Sequence, residues 1–331
     1  MKRWHFWLGL IISLALLFIA LKGLQLSSVW NAIKSANYIW LLPAVAVYAL
    51  AVLLRSLRWH FLLKPIKAIN FLALFPVIAI GYMGNNIFPA RAGEILRTII
   101  LKQEKDVAIS ASLASIIVER IFDGMIMLAF VFLNLKEFAQ MAANNNLTYR
   151  IQKIITWGSI GFIGLFFIFL LATIFTEKVK TFSFYLINKV APKSWRERAT
   201  HISQRFLAGL QSLRSPQKVI SVSILSLIIW LLETVFYWCV SCAFPFRINF
   251  SSLMFINGTL NLITIIPSAP GYIGTFDAPG IALLKAIGVQ AEVSAGYILV
   301  LHAALWLPIT LLGAFFSARK GLDWSRTYSK E

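Results

Sequence analysis

The stretch GYMGNNIFPARAGEILRT (Gly81–Thr98) decides the fold. It continues an apolar run that starts at Phe71, then brings in Asn85 and Asn86, a proline, three glycines, two arginines and a glutamate. Lipid hydrocarbon offers no hydrogen-bond partners, so broken backbone and charge at that depth must be sheltered by protein or by water. The stretch therefore reads as the tip of a helical hairpin lining an internal cavity, with a new helix starting near Arg91.

The rest of the chain sets that tip in a membrane. Of 331 residues, 59% are hydrophobic and only 13% charged, against about a quarter charged in a soluble globule. HFWLGLIISLALLFIALKGL (5–24) and WGSIGFIGLFFIFLLATIF (157–175) each approach the roughly 20 residues that a spanning helix needs. No small-residue cleavage site follows the first run, so it reads as an uncleaved helix. The fold class is all-α and polytopic, with about six full spans. The net charge of +18 suits cytoplasmic loops and anionic inner-leaflet lipids better than nucleic acid. Cys239 and Cys242 lie in an apolar helix with no nearby His, and read as packing residues. The four histidines are scattered, no metal set emerges, and no cofactor is expected.

The basic residues orient the loops. With the N-terminus, the 55–67 loop, the 91–105 stretch, the 178–218 loop and the C-terminus in the cytoplasm, 23 of the 31 Lys and Arg lie inside, seven outside, and Arg120 within the membrane. Both ends of residues 70–105 then fall on the cytoplasmic face, and both ends of 250–288 on the external one. Each segment becomes a re-entrant hairpin. Residues 1–135 and 151–320 follow the same order of elements in opposite orientation, the inverted-repeat plan of many transporters. Their tips, PARAG (89–93) and PSAPG (267–271), share the spacing P-x-x-x-G. Residues 177–217 alternate basic and apolar positions, as amphipathic helices on the inner leaflet do.

A polar constellation sits where the first hairpin meets the next helix. Arg91, Glu94 and Arg97 recur every third residue, and Ser112, Ser115, Glu119 and Asp123 form one stripe with Arg120 beside it. Intramembrane ionisable groups pair or face a wet interior, so Glu119, Arg120 and Asp123 are candidate partners for Arg91 and Arg97. The charges either brace the hairpin or bind an anion, since guanidinium forks match phosphate oxygens. The second tip reads as an anion cradle or a helix cap: Gly271 and Gly274 permit close backbone approach, and Thr275 or Asp277 can cap the following helix, capping being favoured because an Asp there competes with a bound anion. Asn257, Asn261 and Thr264 make a milder stripe. Glu233 is either a proton-coupling carboxylate or the partner of an arginine. Arg55 and Arg58 read as snorkelling anchors or headgroup ligands at the inner end of their span.

NNIFPARAGEILR, the downstream ERIFD, RSLRW after the second span and the late PSAPGYIGTFD together resemble the lysylphosphatidylglycerol synthase transmembrane-region family. Its members include the flippase domain of the bacterial multiple peptide resistance factor and stand-alone inner-membrane proteins like YbhN. The resemblance implies lipid translocation in the cytoplasmic membrane of a prokaryote. By motif position it carries a substrate role to Arg91, Glu94, Arg97, Glu119, Arg120, Asp123, Pro270, Gly271 and Gly274. The factor's soluble synthase domain is not expected within a chain ending at Glu331. DedA-like transporters, which also use opposed hairpins, are the alternative fold assignment.

The resulting expectation is a flippase for an anionic-headgroup lipid and not an enzyme. No P-loop, Gly-rich dinucleotide loop or acidic metal cluster is found. The alternatives are a membrane enzyme acting on lipid-linked phosphate, or an anchor for a separate lipid synthase or glycosyltransferase.

Overall fold

The computed structural model describes residues 15–18, 20–88, 91–141, 176–190, 216–264 and 269–321, with scattered positions between 157 and 204. The regular elements are helices: α1 (Leu26–Lys34), α2 (Leu41–Leu63), α3 (Phe71–Ile87), α4 (Ala92–Lys105), α5 (Ile109–Met141), α6 (Thr176–Val190), α7 (Pro216–Ser241), α8 (Phe250–Ile263), α9 (Asp277–Ala286) and α10 (Ala291–Arg319). Short 3-10 turns at Tyr38–Trp40 and Pro270–Tyr272 precede α2 and α9.

Three described helices are long and apolar enough to cross a bilayer: Tyr38–Leu63, Gln217–Ser241 and Ala291–Arg319. At 1.5 Å per residue, each exceeds the ~30 Å of a hydrocarbon core. Helix α5 has 33 residues but carries Glu119, Arg120 and Asp123 near its middle. Helices α3 and α8 are apolar but shorter. The expected first span is described only from Ala15, and the one near 154–176 lies almost wholly outside the described residues. Of the amphipathic segment at 177–217, the part in α6 is a mostly exposed helix.

Polarity is distributed as lipid demands. Helix α7 exposes Ile220, Ile224, Leu227 and Ile228, α10 exposes Leu307, Leu311 and Phe315, and Leu133 on α5 is 78% exposed. The interior meanwhile holds Arg55, Arg58, Arg97, Glu119 and Asp123. A hydrocarbon solvent favours this arrangement, because charges are cheaper paired inside the bundle than facing acyl chains. The chain is a multi-pass helical membrane protein.

Small residues set the contacts. Helix α3 packs on α10 and α8 on α5. A Cβ added at Gly313 would fall 2.5 Å from Met83 Cβ, and one at Gly258 would fall 2.7 Å from the Met127 carbonyl oxygen. Helix α2 packs on α7, with Tyr48 against Phe236 at 5.5 Å between ring centroids. Helix α4 also touches α5, and α9 touches α10. The helix leading into each break thus rests on a long helix of the other half.

Both expected breaks are present. Asn70 caps α3 by accepting from Leu72 N at 2.9 Å. Helix α3 closes at Ile87 with Phe88 extended, and α4 starts behind Arg91, whose φ of 55° is left-handed. The two helices fold back on each other along Gly81, Gly84 and Gly93, close enough that a Cβ at Gly84 would sit 2.8 Å from Gly93 Cα. This is the small-residue packing that membrane helices use for close approach. Helix α4 ends at Asp106, where Lys102 donates to the carboxylate at 2.5 Å and holds its pKa below the usual range. At the second break, Gly271, Tyr272 and Gly274 all take positive φ before α9 begins. The two prolines of the shared P-x-x-x-G spacing, Pro89 and Pro267, lie outside the described residues.

Candidate functional site

The charged residues form a buried layer and a cavity wall, which meet at Asp123. The buried layer is built on the α5 stripe. Ser115 accepts from Trp59 Nε1 at 2.9 Å. Arg97, stacked over the Trp59 ring at 4.2 Å, pairs with Glu119 at 3.2 Å. Arg58 is fully buried and donates to both Asp123 oxygens, at 2.6 and 3.2 Å, and to Ser226 Oγ at 2.8 Å, while lying 3.3 Å from Glu119. Trp230 Nε1 donates to Asp123 at 2.8 Å. Every carboxylate in this layer meets at least two cations, which is how buried charge becomes tolerable.

In front of it lies a cavity of about 300 Å³. Arg55 and Glu233 form an ion pair in its wall, with the guanidinium stacked between Tyr82 and Trp230 at 5.5 and 5.6 Å. Arg91 reaches across from the first break to the second half. Its Nη2 donates to the Thr264 carbonyl at 3.2 Å, and its guanidinium lies 6.0 Å from the Tyr272 ring. Glu94 stands 3.9 Å from Arg91 and 3.2 Å from Arg120, which also contacts Asp123 at 3.3 Å. Asn86 closes another side by donating to Thr310 Oγ1 at 2.8 Å. Three donors in this wall, Arg55 Nη1, Arg91 Nε and Arg120 Nε, are buried without a hydrogen-bond partner, as are the acceptors Asn85 Oδ1 and Glu94 Oε1, although Arg120 Nε and Glu94 Oε1 lie 3.2 Å apart as an ion pair. Together the cluster holds Arg55, Arg58, Arg91, Arg97 and Arg120 against Glu94, Glu119, Asp123 and Glu233, one positive charge in excess.

Of the residues singled out in the sequence, Arg55, Asn85, Asn86, Arg91, Glu94, Arg120, Asp123, Glu233, Asn261, Thr264 and Gly271 line this cavity. Several expectations need correction. Arg58, Arg97 and Glu119 lie behind the wall, where Glu119 contacts both arginines. Arg55 and Arg58 are 4% and 0% exposed, so neither snorkels to a headgroup layer; the α2–α7 contact carries both inward. Pro270, Gly274, Thr275 and Asp277 do not line the cavity. Asp277 does not cap α9 from outside: it is the helix's first residue, and its carboxylate reaches back to Gly274 N at 2.8 Å. Thr275 turns its hydroxyl to the Tyr272 carbonyl at 3.0 Å. Arg91 pairs within its own hairpin and across to Thr264 instead of with the α5 acids.

Sequence reasoning missed His302, Trp306, Tyr48, Tyr82, Trp230, Tyr272 and Phe276, which supply most of the aromatic wall. Tyr82 and Tyr272 flank the two breaks, and aromatic residues beside a break were the readable signal. His302 had none. Among the described residues no group of three or more His, Cys, Asp or Glu is arranged to hold a metal.

Residues 6–313 match the family described as lysylphosphatidylglycerol synthase TM region. The chain is 25% identical over 233 residues to a UPF0104 membrane protein of Methanocaldococcus jannaschii, covering 70% of this chain and 91% of that one. It is 26% identical over 257 residues to a UPF0104 membrane protein of Methanothermobacter thermautotrophicus, covering 72% and 71%. Over 259 residues it is 22% identical to the glycosyltransferase AglD of Haloferax volcanii, covering 71% of this chain and 41% of that protein. No solved structure matches. With nearly the whole chain matched and the motif residues gathered about one cavity, the protein belongs to the lysylphosphatidylglycerol synthase transmembrane-region family.

Proposed function

We propose that this protein is a flippase that moves an anionic-headgroup lipid across the cytoplasmic membrane of a prokaryote, holding the lipid phosphate between Arg55 and Arg91. The observation that carries the reading is that buried guanidinium nitrogens in one cavity wall, Arg55 Nη1 and Arg91 Nε among them, have no hydrogen-bond partner. Leaving such donors dry and unpaired costs about 1–3 kcal/mol each, and a phosphate oxygen accepts from them in the geometry that guanidinium favours. The excess positive charge of the cluster has the sign an anion would balance.

The same reading supplies a route. Helices α3–α4 enter and leave from the cytoplasmic face and α8–α9 from the external one, with both termini cytoplasmic and the halves 1–135 and 151–320 inverted. The reciprocal packing of α3 on α10 and α8 on α5 supports this. So does one interval: Pro89 to Pro267, Gly93 to Gly271, and the paired Arg55 and Glu233 are each 178 residues apart. An ion pair between equivalent positions belongs near the axis relating the halves, where rocking of one repeat against the other moves it least. The headgroup crosses through the cavity while the acyl chains stay in lipid.

The similarity to AglD favours a second reading, in which the chain acts on a lipid-linked phosphate or anchors a separate lipid synthase or glycosyltransferase. Product formation by the purified protein from a polyprenyl phosphate and a nucleotide sugar would establish it. The flippase reading is tested by reconstitution into liposomes carrying fluorescent phosphatidylglycerol, with an impermeant quencher added outside. Wild-type protein is expected to expose inner-leaflet label, and Arg91→Gln to slow that exposure about tenfold, the value of one charge-assisted hydrogen bond. Quenching independent of protein for each anionic lipid tried would exclude the flippase.

A further inference from the structure

His302, on α10, touches two acceptors. Its Nδ1 lies 2.7 Å from Asp277 Oδ1, and its Nε2 lies 2.7 Å from the Gly271 carbonyl oxygen. The other Asp277 oxygen is already occupied by Gly274 N–H. A neutral imidazole has one N–H and one lone pair. Facing a carboxylate and a carbonyl, it can satisfy one and must oppose the other. Both contacts are made only when the His302–Asp277 pair holds one proton more than a neutral ring and an ionised acid, whichever of the two carries it.

That proton fastens the second break to α10. Gly271 lies in the 3-10 turn, lines the cavity, and sits so near Trp306 that a Cβ there would fall 2.8 Å from the indole nitrogen. Tyr272 beside it lies under Arg91. We infer that the His302–Asp277 pair is a proton-binding site that clamps the second hairpin tip over the cavity when loaded and releases it when empty. The inference deepens the flippase reading by making the proton the ligand that gates the cavity, although the clamp itself requires no lipid.

Other titratable groups line the same cavity or touch the ring. Tyr48 and Arg55 come from α2, Tyr82 from α3, Glu233 from α7, Asp277 from α9, and Tyr272 from the tip itself. Arg91, Glu94, Arg120 and Asp123 line it as well. Glu94, Asp123 and Glu233 each have an arginine partner. Those arginines hold the three acids in the ionised form, so among these groups the His302–Asp277 pair is the carboxylate site that keeps a proton to release as pH rises.

Hydrogen exchange of the full-length protein in lipid nanodiscs, followed by mass spectrometry from pH 5.5 to 8.5 and rescaled for intrinsic exchange, tests this. Peptides covering 269–277 are expected to lose protection about tenfold as pH rises. In His302→Gln they should stay at the low level throughout. Glu94→Gln and Glu233→Gln should keep the wild-type pH response. Protection of 269–277 that does not change with pH in the wild type would overturn the inference, as would a pH response that disappears in either glutamate variant. If His302→Gln does not fold, the wild-type series and the glutamate variants still decide it. No lipid substrate enters the measurement, so its failure leaves translocation standing, and failed translocation leaves the clamp standing.

Discussion

Arg58→Met is expected to cost about 3–5 kcal/mol of stability, the loss that follows when one partner of a buried ion cluster is removed. Arg58 is fully buried and is the only described cation that touches Glu119, Asp123 and Ser226 together. Without it Asp123 keeps Trp230 and Arg120, and Glu119 keeps Arg97 and Arg120, but Ser226 loses its donor and two acids share too little positive charge. The measurement is the midpoint of thermal unfolding in detergent micelles, followed by fluorescence. Removing the charge together with its main acceptor, as Arg58→Met with Asp123→Leu, is expected to be milder than Arg58→Met alone. A single variant as stable as wild type would mean that water reaches this layer and screens it.

Gly93→Ala should be nearly as damaging, for a steric reason. Its new Cβ would lie 1.8 Å from the Gly81 carbonyl oxygen and 2.6 Å from Asn85 N. Both obstacles are backbone, so no side-chain rotation relieves the overlap and α4 must move off α3. Overpacking of this kind costs about 1–3 kcal/mol or more. Here it also displaces Arg91, two residues away, from Thr264. The expected result is a lowered melting temperature together with lipid translocation reduced to the Arg91→Gln level. By contrast, Gly124→Ala, where an added Cβ meets nothing within 4 Å although the residue lines the cavity, is expected to melt like wild type.

The readable part of the site was the part carried by local pattern. The break at 88–91, the helix opening behind Arg91, and the α5 stripe of Ser112, Ser115, Glu119 and Asp123 follow from proline, glycine and the 3.6-residue period. So does the apolar character of α2, α7 and α10. Glu233 read correctly as one of two things, an arginine's partner among them, but the pattern could not say which arginine. The snorkelling reading of Arg55 and Arg58 failed because two basic residues near the end of an apolar run look the same whether they reach out to the headgroup layer or turn inward.

The amino-acid order alone determined that this chain lives in a membrane as a bundle of helices with two interruptions, because transfer to hydrocarbon and helix breaking are settled residue by residue. Only the tertiary structure decided which charges lie behind the cavity wall and which line it. Arg58 meets Asp123 across 65 positions, Arg91 meets Thr264 across 173, and Arg55 meets Glu233 across 178. Such meetings depend on the register and crossing of helices packed through Gly258 and Gly313, and His302 joins Asp277 for the same reason: α10 happens to lie against α9 at that height.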